Sequence, residues 1–171
     1  LPPEYFIISF RAPLHLSSFG YAWYMIHFEE DGTKISDNVQ ALSSRDLILQ
    51  SIEEACSLYD LDTKNITLLG FSQGAILSMA IALSYPKKIR NVIALSGYLN
   101  KEILKEGYEK ENHSATRFYV SHGASDQVIG IDLARETPTF LKTLGIDYKY
   151  EEFPVGHGIC PQNFYSFRDW L

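Results

Sequence analysis

Residues 66–86 read Ile66-Thr67-Leu68-Leu69-Gly70-Phe71-Ser72-Gln73-Gly74-Ala75-Ile76-Leu77-Ser78-Met79-Ala80-Ile81-Ala82-Leu83-Ser84-Tyr85-Pro86. The first six residues form a short apolar run, the pattern of a strand buried on both faces. From Ala75 to Tyr85 apolar residues continue over a helix length, and Pro86 stops the helix. Between strand and helix, Gly70-Phe71-Ser72-Gln73-Gly74 is G-x-S-x-G. Small residues let the chain reverse sharply there, and such a strained turn lifts a serine hydroxyl above the end of a sheet. The plainer reading is a tight turn whose serine caps the helix. The setting, strand before and helix after, favours the first.

The same alternation repeats on either side of this stretch. Asn91–Gly97 and Arg117–Gly123 read as buried strands. Asp147–Phe153 alternates Tyr148, Tyr150 and Phe153 with charges, which suits a strand nearer a sheet edge. Helices are predicted from Ser43 (with Leu47, Ile48, Ile52, Ala55, Cys56 and Tyr59 on one face), over Leu133–Leu144 closed by Gly145, and over Pro161–Leu171. Residues 98–115 are rich in Lys and Glu and read as a solvated helix and loop. Tyr5–Phe10 reads as a further buried strand. Strand alternating with helix means an α/β fold with a mainly parallel sheet. No linker, repeat or low-complexity segment interrupts it, so residues 1–171 read as one domain.

Residues 14–42 hold no clear period and are dense in aromatics, with Asp31-Gly32 as a hairpin tip. A connection this long is often functional. Leu14, Phe19, Tyr21, Trp23 and Tyr24 could clothe an apolar pocket, or could equally be a hydrophobic cover over the core.

The chain has 171 residues, 15 basic and 21 acidic, for a net charge of −6. An acidic chain lacks the basic stripe that nucleic-acid binding needs. No apolar run reaches the ~20 residues of a spanning helix, and no basic amphipathic stretch marks a membrane-surface protein. Cys56 and Cys160 have no C-x-x-C spacing and form no zinc pattern with the histidines at 15, 27, 113, 122 and 157. Free thiols in a reducing, cytoplasmic compartment are the expectation.

A serine hydroxyl near neutral pH needs a base within hydrogen-bond reach, and the base needs an orienting acid. Both should lie in loops after later strands. Asp126 follows the strand 117–123, in His122-Gly123-Ala124-Ser125-Asp126. His157 follows the strand 147–153, in Pro154-Val155-Gly156-His157-Gly158. Both positions are at carboxyl ends of strands, where open α/β sheets place ligands. Asp126 could instead be a plain turn residue. Asp132 falls at the start of the next helix and reads as an N-terminal charge. His122 precedes the acid and sits at a strand end, where a packing or hydrogen-bonding role is expected. The glycines flanking His157 free the backbone to aim its ring.

Four ordered motifs carry a resemblance: Gly70–Ala75, Ile93-Ala94-Leu95-Ser96-Gly97-Tyr98-Leu99, His122–Ile129 and Gly156-His157-Gly158. Together they resemble the phospholipase/carboxylesterase family, which includes acyl-protein thioesterases and small bacterial carboxylesterases of the α/β-hydrolase fold. Phe10-Arg11-Ala12-Pro13 and Gly20-Tyr21-Ala22-Trp23-Tyr24 are similar to its early segment. The resemblance runs from about Tyr5 to the end. It implies an α/β-hydrolase fold with helices on both sheet faces. It implies Ser72 as nucleophile, His157 as general base and then acid, and Asp126 as orienting acid. Gln73, the residue after the nucleophile, would give its backbone N–H to an oxyanion hole.

The reaction implied is hydrolysis of a short- to medium-chain acyl ester, thioester or lysophospholipid through an acyl-enzyme, with no metal or cofactor. The expected partner is a small-molecule acyl ester, with no nucleic acid and no stable membrane insertion. The family likeness leaves a homodimer open. Rival readings are a serine peptidase or acyltransferase on the same fold, and a hydrolase-like domain that binds without turnover. Family members carry one or more strands and a His-Gly loop before the segment equivalent to Tyr5–Phe10. That loop supplies a second oxyanion donor, and this sequence lacks it. The expectation is a chain shortened at its N-terminus.

Overall fold

In the computed structural model, which describes residues 5–17, 20–31 and 34–171, the chain divides into two units, Leu1–Leu61 and Asp62–Leu171.

The described residues of the first unit form two small antiparallel pairs and one long helix. Strands β1 (Leu14–His15) and β2 (Tyr21–Ala22) pair with Leu14 opposite Ala22. Strands β3 (Ile26–Phe28) and β4 (Lys34–Ser36) pair with His27 opposite Ile35. The hairpin expected around Asp31 is therefore present, although Gly32 lies outside the described residues. Helix α1 spans Asn38–Tyr59. It begins five residues before the predicted Ser43, because Asp37 caps it: its carboxylate accepts the Gln40 N–H at 3.0 Å. Its buried side comprises Ala41, Ser44, Arg45, Ile48, Leu49 and Ile52. Ile48 and Ile52 were expected there, whereas Leu47 and Tyr59 are exposed.

Tyr5–Phe10 forms no strand. Phe6, Ile7, Ile8 and Phe10 are exposed. An apolar run becomes a strand only when a neighbour completes its ladder, and among the described residues none does. Phe6 instead stacks on Tyr59, with ring centroids 4.8 Å apart.

The second unit is a four-stranded parallel sheet in the order β5-β6-β7-β8: β5 (Thr67–Phe71), β6 (Asn91–Leu95), β7 (Arg117–Gly123) and β8 (Asp147–Phe153). Registers run Gly70 beside Ala94, Ala94 beside Val120 and Val120 beside Tyr150. The connections carry α2 (Gln73–Ser84), two short 3-10 turns (Lys101–Ile103 and Tyr108–Lys110) and α3 (Ile131–Thr143). Helix α4 (Pro161–Trp170) ends the chain. β8 lies at the sheet edge, as its alternation predicts.

β6 is buried along its whole length, as expected of a central strand. β5 is not: Leu69 is 53% exposed and Phe71 is also exposed, so the double-sided burial read from 66–71 is corrected to one side. The segment 98–115 is less solvated than its charges suggest, because Ile103 and His113 are buried. β6 ends two residues before Gly97, because Ser96 turns the chain with φ 51°.

On one sheet face Ile93, Leu95 and Tyr119 pack with Phe167 of α4, and Trp170 and Leu171 lie against them. A polar cluster ties the same helix down. Asn163 donates to the Tyr119 hydroxyl at 3.1 Å and to Ser121 Oγ at 3.0 Å. Tyr119 donates to Glu151 at 2.7 Å, and burial pushes its phenol up to about 12. Satisfied buried networks of this kind fix one register. Among the described residues no helix is long and apolar enough to cross a membrane, and both cysteines are free thiols.

Candidate active site

Ser72 stands at the junction of β5 and α2 with φ 54° and ψ −119°. A positive φ at a residue bearing a Cβ is strained, by ~1–3 kcal/mol, and persists only where the surroundings impose it. They do so here. The Ser72 N–H donates to the Leu95 carbonyl of β6 at 2.9 Å, and its own carbonyl accepts the N–H groups of Ala75 and Ile76 at 3.0 and 3.1 Å. A Cβ at Gly70 would lie 2.2 Å from the Gly74 backbone, so only glycine fits beneath the turn. The Ser72 side chain makes no capping hydrogen bond. The capping role is thus not what holds the serine there. Gln73 is the first residue of α2, so its backbone N–H sits at the positive end of the helix dipole.

Asp126 follows β7 and is 6% exposed. Its Oδ1 accepts the backbone N–H groups of Val128 and Ile129 at 2.8 and 2.9 Å. Its Oδ2 lies 2.7 Å from His157 Nδ1. Burial alone would raise this carboxyl. The hydrogen bonds from His157, Ile129 and Val128 outweigh burial and hold it below the ordinary aspartate value.

His157 lies in the loop between β8 and α4. The loop is fastened to the end of β7: Ala124 N–H donates to the Phe153 carbonyl at 2.8 Å and Ser125 N–H to the Val155 carbonyl at 3.0 Å. The approach is close. A Cβ at Gly123 would fall 2.1 Å from the Gly156 carbonyl oxygen. Because ionised Asp126 only accepts, His157 carries its proton on Nδ1, which leaves the lone pair on Nε2. Its ring lies 4.9 Å from that of Phe71, the residue before Ser72.

The structure therefore joins Asp126 and His157 directly and brings His157 against the residue preceding Ser72. No hydrogen bond joins Ser72 Oγ to His157 in this conformation, and such bonds are often long before substrate binds. Asp132 lies in the first turn of α3 and is exposed, as read from the sequence. His122 is a contact the sequence reading left unspecified: its Nε2 is 3.2 Å from the same Asp126 Oδ2. Its place four residues before Asp126, at a strand end, was the available signal.

The aromatic residues of 14–24 belong to the first unit. Leu14 and Trp23 are half-buried and Tyr21 is exposed. Tyr21 lies between Arg11, 4.9 Å from its ring, and His15, 5.2 Å away. Tyr24 is 1% exposed and packs in the core. Phe19 lies outside the described residues. No three His, Cys, Asp or Glu side chains among the described residues are placed to hold a metal ion.

Residues 9–171 match the profile of the phospholipase/carboxylesterase family. This chain belongs to that family. A probable carboxylesterase of Oryza sativa subsp. japonica is 29% identical over 132 residues, covering 72% of this chain and 49% of the relative. Acyl-protein thioesterase 1 of Neurospora crassa is 28% identical over 161 residues, covering 87% and 63%. This family member thus spans about half to just under two-thirds of those relatives. Among solved structures, the Bacillus cereus carboxylesterase superposes with TM-score 0.77 at 15% identity, covering 94% of this chain and 71% of that one. Arabidopsis thaliana SOBER1 gives 0.70 at 21% identity, with coverages of 88% and 72%. These likenesses establish the α/β-hydrolase fold for this family member, with its parallel sheet flanked by helices.

Proposed function

We propose that this protein is a serine hydrolase of carboxylic esters or thioesters with short to medium acyl chains. The observation that carries the reading is the 2.7 Å contact between Asp126 Oδ2 and His157 Nδ1, past the carboxyl ends of the parallel strands, as is the strained turn bearing Ser72. The relatives' names, carboxylesterase and acyl-protein thioesterase, support it.

In this mechanism His157 Nε2 takes the Ser72 proton as Oγ attacks the acyl carbonyl carbon. The oxygen gains negative charge, and the Gln73 backbone N–H donates to it, aided by the N-terminus of α2. Asp126 stabilises the imidazolium without taking its proton. The tetrahedral intermediate then expels the alcohol or thiol, which receives the proton from His157. Water, deprotonated by His157, attacks the acyl-serine carbonyl, and as the Oγ–carbon bond breaks His157 returns that proton to Ser72 Oγ, releasing the acid. Losing an oxyanion donor should cost roughly 10²–10³ in rate.

A panel of nitrophenyl esters of increasing chain length, an acyl thioester and an anilide tests the reading. Ester or thioester turnover through an initial burst is expected. Faster cleavage of the anilide would favour a peptidase, and folded protein without turnover or burst would favour a binding domain.

A further inference from the structure

His122 is a second histidine on Asp126 that the mechanism above leaves unused. It lies in β7, and its side chain is fully buried. Its Nε2 faces two acceptors, the Ile129 carbonyl oxygen at 2.9 Å and Asp126 Oδ2 at 3.2 Å. Its Nδ1 is buried with no hydrogen-bond partner. The partners decide the tautomer. Two acceptors at Nε2 require the proton there, because an N–H at Nδ1 would be an orphaned buried donor costing ~1–3 kcal/mol. His122 is therefore an Nε2–H donor to the Ile129 carbonyl, with Asp126 Oδ2 3.2 Å from the same nitrogen. Asp126 thus accepts three hydrogen bonds, from the N–H groups of Val128 and Ile129 on Oδ1 and from His157 on Oδ2, and His122 Nε2 stands 3.2 Å from Oδ2 as a further close contact.

We infer that His122 is a positioning residue that acts through Asp126, its Nε2–H fixing Oδ2 where it aims His157 and drawing off part of that oxygen's charge. The inference rests on the ester-hydrolase reading. The surrounding charged groups are already committed. Glu152 stands opposite His122 in the β7–β8 register. It accepts both arms of Arg135 from α3 at 2.8 and 2.9 Å, and the Tyr150 hydroxyl at 3.0 Å. Asp132 lies 3.6 Å from the same Arg135.

Two consequences follow from removing the His122 donor. Asp126 loses one of its restraints, so His157 is aimed less well and turnover slows. The remaining charge on Oδ2 also holds the imidazolium more tightly, so the active neutral form appears only at higher pH.

The test compares His122→Leu and His122→Gln with wild type in the full chain. The readouts are the pH profile of kcat/KM on nitrophenyl acetate and the rate of fluorophosphonate labelling. For His122→Leu we expect kcat lower by about 10–100-fold, KM within about twofold, and the acidic limb displaced to higher pH. His122→Gln, whose amide can still donate, should keep the limb in place and recover most of kcat. Should His122→Leu fail to fold, His122→Asn, whose shorter amide withdraws from Oδ2, takes its place. A wild-type kcat and limb in His122→Leu would overturn the inference. So would a loss equal at every pH that His122→Gln does not restore. A folded wild type that neither turns over nor labels would instead overturn the ester-hydrolase reading itself.

Discussion

His157 Nδ1 donates to Asp126 Oδ2 across 2.7 Å, although the two residues hang from the ends of different strands, β8 and β7. The contact sets which imidazole nitrogen can act as a base. Asp126→Asn tests that. If the amide oxygen keeps the Val128 and Ile129 N–H groups, its NH₂ faces His157 and forces the proton onto Nε2. The expected result is a fall in kcat of about 10⁴ with an unchanged circular-dichroism spectrum.

His157→Ala removes the base without disturbing the core, since the side chain is partly exposed in a loop. Turnover should be abolished while thermal unfolding stays close to wild type. Activity within about tenfold of wild type would remove His157 from the mechanism.

Gly70 and Gly123 are fixed by space. An added methyl would sit 2.2 Å from the Gly74 backbone in one case and 2.1 Å from the Gly156 carbonyl in the other. Both contacts are with backbone, which cannot simply rotate away. Gly70→Ala and Gly123→Ala should each lose about 1–3 kcal/mol or more in denaturant titration. Gly123→Ala should in addition lose most activity even when folded, because the displaced strand of loop carries His157.

Stability should fall on acidification. Asp126 is held below its ordinary value as described above. Burial would raise Glu151, but hydrogen bonds from Ser166, Tyr119 and Lys149 outweigh it and lower the carboxyl. Glu152 is lowered chiefly by its Arg135 hydrogen bonds. A carboxyl whose folded value lies below its unfolded value binds more protons when unfolded. Its stabilisation is present in full above the unfolded value of about 4, and is lost as pH falls through the folded value. Denaturant midpoints should therefore be insensitive to these three groups between pH 5 and 7 and drop below about pH 4. Asp126→Asn should flatten part of that drop.

The parts of the fold that could be read in the sequence are those where local pattern and burial agree. Arg117–Gly123 and Asp147–Phe153 are strands over the predicted residues. The motif around Ser72 also falls at the predicted strand-to-helix junction. Reading failed where the environment decides. Tyr5–Phe10 has strand composition but no paired neighbour. Leu69 and Phe71 are apolar yet exposed on β5, which among the described residues has a paired strand on one side only. At the candidate site, the pairing of Asp126 with His157 followed from strand-end positions. The contact of His122 with Asp126 did not, because the orientation of the His122 ring depends on the turn that brings Ile129 back over it.

The most direct measurement is peptide mass spectrometry after reaction of the purified protein with a fluorophosphonate probe, which modifies only an activated serine. A single adduct on Ser72, absent in His157→Ala, is the predicted result. A folded protein that forms no adduct, or forms it on another serine, would contradict Ser72 as the nucleophile.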